Sequence, residues 1–189
     1  MITDHLLWVD LETTGSDEAT DCIIEIGAIL TTHDLTELGA FTAVVKPEPL
    51  GLGRMLQNEV VRTMHEKNGL LADVLAATDE DKPHKVTPRM LDWIGGLGAE
   101  QGKFVLAGSG VGHFDRRFIA RYMPQLNKAL RYWCIDVGVI RRANEMWGGE
   151  TFTFNDAKTH RALDDVRCHV SEAKAYKRLW QGQEVSDDR

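Results

Sequence analysis

Two carboxylates stand at the end of an apolar stretch near the beginning of the chain, Leu6–Glu12. Residues i and i+2 of a β-strand point to the same face, so Asp10 and Glu12 lie side by side, whereas Val9 and Leu11 take the other face. Buried carboxylates without a counter-charge cost several kcal/mol each, and no Lys or Arg lies near this pair in sequence. The pair therefore indicates a bound cation, although a strand that ends in solvent would show the same pattern.

Further residues of this chemistry lie at two predicted helix starts. Asp115 follows the glycine-rich loop Gly108–Gly112, where an Asp is also favoured simply as a helix cap. His160 and Asp165 begin the last predicted helix, and five helical positions separate two side chains by about 140°, so His160 must precede the helix to converge with Asp165. Asp164 is the alternative partner at i+4, but Asp165 lies on the more apolar side. Together, four carboxylates and one histidine are hard to explain as isolated surface residues.

Apolar runs and turn residues define the elements that must position these side chains. The predicted strands are residues 6–12, 23–31, 41–45, 104–107 and 132–135. The predicted helices are residues 58–65, 88–93, 115–122, 136–147 and 163–180, and the second has Thr87 as N-cap and Pro88 at its first position. Three strands, then helices, then alternating strands and helices predict an α/β fold, in which helices flank a mixed sheet and ligand sites lie at strand ends.

Composition and charge limit the possible partners. The 189 residues fit a single domain, which we place at 1–182, followed by a polar tail at 183–189. The formal charge of −7, from 22 basic and 29 acidic residues, argues against a long duplex-binding surface but allows a nucleic-acid end held by metal ions. Three widely spaced cysteines give neither a disulfide framework nor zinc-ligand spacing. Since no signal pattern and no apolar run of about 20 residues is found, we expect a cytoplasmic protein without a membrane partner.

Three short motifs resemble those of the DEDDh-type 3′–5′ exonucleases. Residues 10–15, Asp-Leu-Glu-Thr-Thr-Gly, match the D-x-E-T-T-G opening of that group. Residues 113–118 resemble its second motif, and residues 160–165 resemble its third, H-x-A-x-x-D. The motifs follow the order of the group and cover nearly the whole chain. Within the group, the chain is most similar to the oligoribonucleases, over residues 65–70, 115–118, 122–124, 135–137 and 160–166.

This resemblance implies a ribonuclease H-like fold and metal-dependent hydrolysis of phosphodiesters. Two divalent cations, Mg²⁺ or Mn²⁺, would be held by carboxylate oxygens, which are hard ligands. Those carboxylates would be Asp10, Glu12, Asp115 and Asp165. His160 would be the general base that takes a proton from the attacking water. Short single-stranded RNA would be shortened from 3′ to 5′ into 5′-mononucleotides, and the enzyme would be a homodimer.

The resemblance also suggests four residues for substrate binding. Leu11 and Thr13 would hold the terminal nucleotide, with Leu11 or a neighbour as a wedge between bases. His65 would lie near the substrate phosphate, although a solvent-facing helix histidine would show the same pattern. Arg131 would act on short substrates across the dimer interface.

Three positions depart from the oligoribonuclease pattern. Val60 replaces an aromatic residue, and stacking of a base on an aromatic ring is worth about 1–3 kcal/mol. Gly138 replaces a serine, and Trp133 replaces an arginine, with Arg131 two positions away. The hydrolytic residues are therefore better supported than a preference for very short RNA.

Three other functions stay open. Exonucleases of the proofreading or RNase T branch, which act on single-stranded DNA or RNA, share the mechanism, and residues 113–115 resemble that branch. A catalytically inactive nucleic-acid-binding module is disfavoured because all five expected side chains are present. The third alternative is a structural cation site in an unrelated enzyme.

Overall fold

A mixed sheet of five strands lies at the centre of the computed structural model, which describes residues 4–100, 102–149, 152 and 159–182. The strands are β1 His5–Thr13, β2 Ile23–Thr31, β3 Glu37–Val44, β4 Phe104–Gly108 and β5 Leu130–Asp136. Their order is β3-β2-β1-β4-β5. β1 pairs antiparallel with β2 and parallel with β4, while β3 and β5 form the edges. The predicted α/β class with a mixed sheet is confirmed.

Helices cover both faces of the sheet. Within the described residues they are α1 Pro49–Gln57, α2 Glu59–Lys67, α3 Leu70–Ala76, α4 Pro83–Gly96, α5 Asp115–Tyr122, α6 Pro124–Ala129, α7 Val137–Met146 and α8 Ala162–Trp180. The sequence analysis missed α1, α3 and α6. α3 and α6 have 7 and 6 residues, too few turns for a clear apolar period, and α1 contains Gly51 and Gly53, which are poor helix formers.

Alternating side chains of β1 contribute to two different cores. Val9 and Leu11 belong to the core beneath α4, α5 and α6. Trp8, which is fully buried, belongs to the core beneath α7 and α8. Burying a large apolar side chain contributes roughly 1.5–3 kcal/mol, so this alternation fixes the register of β1. Asp10 and Glu12 consequently lie on the α8 side of the central strand.

The predicted start of α4 is wrong. The helix begins at Pro83, directly after Lys82, and Pro88 lies inside it. Pro83 satisfies the rule that was applied to Pro88, because a proline in the first turn forfeits no intrahelical N–H bond. Thr87 does not cap the helix; its hydroxyl donates to the carbonyl oxygen of Pro83 at 2.7 Å.

Two expectations about the ends and surface of the chain have different outcomes. The predicted tail at 183–189 lies outside the described residues, and the single domain at 1–182 stays a prediction. None of the helices in the described part of the chain combines the length and the apolar character that crossing a bilayer requires.

Helix α8 approaches the sheet at a glycine. Gly27 of β2 pairs with Asp10 of β1. A Cβ atom at Gly27 would lie 2.3 Å from the backbone nitrogen of Leu163 and 2.4 Å from the carbonyl carbon of Ala162. Helix backbone cannot turn aside as a flexible side chain can, so only glycine permits this approach. The first turn of α8, which contains Asp165, is thereby held against the strand next to Asp10.

We expect Gly27→Ala to lower the free energy of unfolding by about 1–3 kcal/mol, because the methyl group must push α8 away from β2. Urea unfolding in EDTA measures this. The matched control is Gly53→Ala in α1, where a Cβ would meet no atom within 4 Å. That change should be neutral or stabilise by up to about 1 kcal/mol. Equal free energies of unfolding for Gly27→Ala and Gly53→Ala would show that the contact of α8 with β2 does not require glycine at position 27.

Candidate active site

Glu12, His160 and Asp165 converge at the carboxyl end of β1. A possible ligand atom of each residue lies within 4.8 Å of those of the other two. Glu12 and Asp165 are each only 7% exposed, and His160 is half-buried. The structure therefore brings together the first and third sequence motifs, which are about 150 positions apart in the chain.

The geometry distinguishes between the two candidate aspartates of the third motif. α8 begins at Ala162, so His160 precedes the helix, as its convergence with Asp165 requires. Asp164 points elsewhere: it accepts hydrogen bonds from the Thr159 hydroxyl at 3.2 Å and from Arg167 at 3.1 Å. Asp165, not Asp164, is the member of the cluster.

Asp115 joins this end of the sheet through the backbone of β1. Its Oδ1 accepts a 3.0 Å hydrogen bond from the backbone N–H of Leu11, the residue between Asp10 and Glu12. Asp115 is 4% exposed and opens α5, where the helix dipole favours a negative charge. Asp10 is half-buried and shares a strand face with Glu12. The second motif is thus fixed against the first.

The surroundings of Asp115 resist its ionisation. Burial raises the pKa of Asp115 to about 7, and the nearby charge of Asp136 acts in the same direction. The backbone N–H of Leu11 acts in the opposite direction. A divalent cation favours the ionised form of such a carboxyl group, and carboxylate oxygens are the ligands that hard cations prefer. The donor set therefore fits a divalent metal.

Three residues that the sequence analysis missed hold the segment around His160. The side-chain amide of Asn68 donates to the carbonyl oxygens of His160 and of Thr159, the latter at 3.2 Å. Arg161 forms an ion pair with the buried Glu25, with 2.7 Å between Nη2 and Oε1. Sequence patterns give no signal for these contacts, because the partners lie 92 and 136 positions apart.

His65 lies beside the cluster and is completely buried. Its Nε2 is 3.9 Å from Oε2 of Glu12, and neither ring nitrogen makes a hydrogen bond of normal geometry with a described residue. Burial lowers the pKa of His65, whereas a weaker contact with the backbone of Thr13 acts in the opposite direction. The alternative of a solvent-facing helix histidine is therefore wrong. A buried polar ring without a regular partner beside a carboxylate cluster is a feature that needs an explanation.

The other predicted substrate residues occupy different surroundings. Leu11 is 5% exposed and packs in the core, so its side chain does not protrude as a wedge between bases. The hydroxyl of Thr13 donates to the carbonyl of Gly15 at 2.6 Å, at the end of β1. Arg131 is the second residue of β5, at the opposite end of the sheet, where its Nε lies 3.0 Å from Oδ2 of Asp4. A single copy of the chain does not bring Arg131 to the cluster.

A family model described as an exonuclease, of the RNase T type, matches residues 7–172. The chain belongs to this exonuclease family. The predicted 3′–5′ exonuclease is thereby confirmed. Divalent-metal dependence of this family agrees with the carboxylate cluster of Glu12 and Asp165.

Curated relatives of this exonuclease include oligoribonucleases. The oligoribonuclease of Streptomyces griseus is 33% identical over 180 residues, which are 93% of this chain and 86% of the relative. The oligoribonuclease of Cutibacterium acnes is 35% identical over 173 residues, which are 88% of this chain and 81% of the relative. The resemblance to oligoribonucleases that the sequence motifs indicate is confirmed.

Two solved structures of exonuclease I have the same fold as this chain. E. coli exonuclease I in complex with a dT13 oligonucleotide superposes with a TM-score of 0.65 at 17% identity, over 95% of this chain and 43% of that one. Exonuclease I from Methylocaldum szegediense gives 0.63 at 19% identity, over 95% and 41%. The chain thus spans less than half the length of exonuclease I. The ribonuclease H-like α/β fold is confirmed by this likeness, which shows the fold alone.

We expect Asp115→Asn to change how the stability of the metal-free enzyme depends on pH. The pKa of Asp115 is about 3.8 in the unfolded chain, and below that pH the carboxyl group is protonated in both the folded and the unfolded state. The proton's stabilising contribution is fully present there, and it is lost as the pH rises through the folded-state pKa of about 7. In EDTA at pH 8 the variant should therefore be more stable than wild type, by an amount on the order of a few kcal/mol. Urea unfolding between pH 5 and about 8 measures the difference.

The same experiment in Mn²⁺ should reverse the order, because the variant lacks one ionised oxygen for the metal. Asp164→Asn is the control, since Asp164 is adjacent to Asp165 but its side chain is half-exposed and directed away from the cluster, and it should follow wild type throughout. Parallel pH profiles of wild type and Asp115→Asn in EDTA would contradict the electrostatic assignment.

Proposed function

We propose that the protein is a metal-dependent 3′–5′ exoribonuclease that degrades short single-stranded RNA to 5′-mononucleotides. The observation that carries this proposal is the convergence of Glu12, His160 and Asp165 at one strand end. The identities of 33% and 35% to oligoribonucleases support the RNA substrate. The presence of all five expected side chains argues against an inactive nucleic-acid-binding module.

Four carboxylates are proposed to hold two divalent cations, Mg²⁺ or Mn²⁺: Asp10, Glu12, Asp115 and Asp165. When bound, such ions would lower the pKa of a coordinated water molecule and would stabilise the charge on the departing 3′-oxygen. The chain supplies the arrangement. Asp10 and Glu12 project from one face of the central strand, and the amide of Leu11 between them fixes the carboxylate of Asp115.

His160 is the proposed general base. Its ring lies within 4.8 Å of the carboxylates of Glu12 and Asp165, beside the place where the attacking water must be held. A histidine can accept a proton near neutral pH and release it again, which suits turnover. Because the residue is half-buried, the accepted proton has a route to solvent.

The terminal nucleotide is proposed to lie along the end of β1, around Leu11 and Thr13, with its phosphate near His65. Within the part of the chain that the structure describes, neither ring nitrogen of His65 has a regular hydrogen-bond partner, and Nε2 lies 3.9 Å from Oε2 of Glu12. A phosphate oxygen would accept a hydrogen bond from that ring and remove the cost of an unsatisfied buried donor. The buried side chain of Leu11 restricts that residue to a backbone role.

The main alternative is an exonuclease of the proofreading or RNase T branch that acts on single-stranded DNA or longer RNA. One observation favours it: Val60 on α2 is 77% exposed at the position where a stacking aromatic residue is expected. The stacking energy of about 1–3 kcal/mol per base is missing there, and grip on a dinucleotide depends on few such contacts.

We expect the enzyme with Mn²⁺ to clear a 5′-labelled RNA dinucleotide ahead of longer chains and to release 5′-mononucleotides, because the site recognises a chain end rather than a duplex. The assay follows RNA of two, five and about twenty nucleotides, with matched single-stranded DNA, and EDTA should stop all hydrolysis. Stepwise shortening of long DNA with the dinucleotide left intact would replace this proposal by the alternative.

Three variants control that assay. Asp10→Ala and Asp165→Ala should abolish hydrolysis and leave the fold intact, whereas Asp164→Asn should keep wild-type activity because its carboxylate points away from the cluster. Wild-type rates in purified Asp10→Ala or Asp165→Ala would overturn the assignment of the metal ligands. Circular dichroism confirms that each variant is folded.

We further propose that the enzyme is a homodimer. Large apolar side chains are exposed on the edge strand β5 and at the end of α7, with Tyr132 90%, Met146 78% and Trp147 80% exposed. Large exposed apolar side chains favour an interface at these positions. Arg131, the second residue of β5, would then act on the substrate of the partner site.

One chain has a mass of 21.2 kDa, and light scattering at micromolar concentration should give twice that mass. A Tyr132→Lys, Trp147→Lys variant should shift the protein towards the monomer. A monomeric wild type would contradict the dimer and leave the hydrolytic site as proposed.

A cytoplasmic location, which also belongs to this proposal, agrees with the three free cysteines.

A further inference from the structure

The backbone of His160 has an unusual conformation for its residue type. Its φ angle is 51°, in the left-handed region that non-glycine residues rarely adopt. This conformation costs roughly 1–2 kcal/mol, so it persists only where neighbouring groups impose it. Two side chains outside the three sequence motifs, Glu25 and Asn68, contact the segment around His160.

Glu25 lies directly opposite Glu12 in the pairing of β1 and β2. Two carboxylates at such positions repel each other unless one is neutralised. Glu25 is 2% exposed, and its Oε1 accepts from Arg161 Nε at 3.0 Å and Nη2 at 2.7 Å. Its Oε2 accepts from the backbone N–H of Ala162 at 2.9 Å, at the positive end of α8. The charge of Glu25 is thus directed to the two residues that follow His160.

Asn68, between α2 and α3, holds the other side of the segment. Its side-chain Nδ2 donates to the carbonyl oxygens of Thr159 and His160. Its Oδ1 accepts from the backbone N–H of Leu70 at 3.0 Å, which fixes the orientation of the amide. The donor of Asn68 therefore meets the carbonyl of the very residue whose backbone is strained.

We propose that Glu25 and Asn68 are positioning residues that impose the left-handed conformation of His160 and thereby aim its ring at the cluster of Glu12 and Asp165. Glu25 acts through Arg161 and Ala162, and Asn68 acts through the His160 carbonyl. This role rests on the proposed function of His160 as general base. A ring displaced by about 1 Å loses its alignment with the water, which can cost up to about 100-fold in rate.

Asn68→Asp is the sharpest variant, because it keeps the acceptor for Leu70 and replaces the donor to the Thr159 and His160 carbonyls by a charged oxygen that repels them. We expect kcat to fall between about 10- and 100-fold, with KM and the Mn²⁺ concentration for half-maximal activity within about twofold of wild type. Glu25→Gln should lower kcat likewise. The matched control is Asp73→Asn, which removes the other, half-exposed ion-pair partner of Arg161 and should keep kcat.

A crystal structure of Asn68→Asp gives a readout that does not depend on activity. We expect the φ angle of His160 to become negative and its ring to leave the cluster. A ring that stays in place, or an unchanged kcat in folded Asn68→Asp, would overturn the positioning role. If Glu25→Gln does not fold, Asn68→Asp alone settles the question. An inactive wild type would instead overturn the proposed function, while the crystal structures would still test the positioning.

Discussion

The site depends on the close approach of two pieces of backbone, the first turn of α8 and the middle of β2. Gly27 permits that approach, because any side chain at this position would meet the backbone of Ala162 and Leu163. The contact lies next to Asp10 in the sheet and delivers Asp165 to the neighbourhood of Glu12. Placement of the third motif is thus a consequence of packing: the cores on both faces of β1 hold the strand, and α8 rests directly on the strand beside it.

The second constraint is the repulsion between the carboxylates at this end of the molecule. Their surroundings offset this repulsion in different ways. Glu25 is neutralised by Arg161 and by the N-terminus of α8. Asp115 receives a backbone N–H, but burial still raises its pKa to about 7. Glu12 and Asp165 face each other and His160 within 4.8 Å. A protein with a net charge of −7 has little general positive field to offset this group, so divalent cations are the natural counter-charge.

The parts that were predictable from the sequence are those that depend on local periodicity. Strand alternation placed Asp10 and Glu12 on one face. The helical angle required His160 to precede α8, and the more apolar side of that helix favoured Asp165 over Asp164. The start of α4 was predicted wrongly at Pro88, because Pro83 satisfies the same local rule. The roles of Glu25 and Asn68 were not predictable, since their partners are 136 and 92 positions away. The burial of His65 likewise depends on how α2 packs against β1, which no local pattern describes.

The same distinction separates chemistry from substrate choice in this enzyme. The side chains proposed for hydrolysis lie on the central strand and at the starts of helices that pack against the sheet, where a small displacement would open a buried charge cluster. Two positions outside this cluster lie on exposed surfaces: Val60 is 77% exposed on α2, and Tyr132 is 90% exposed on the edge strand β5. Substitutions at such positions cost little stability, usually within about 0.5 kcal/mol. The departure from the oligoribonuclease pattern at Val60 can therefore alter how firmly a nucleotide is held, while the arrangement of Glu12, His160 and Asp165 stays fixed by the core.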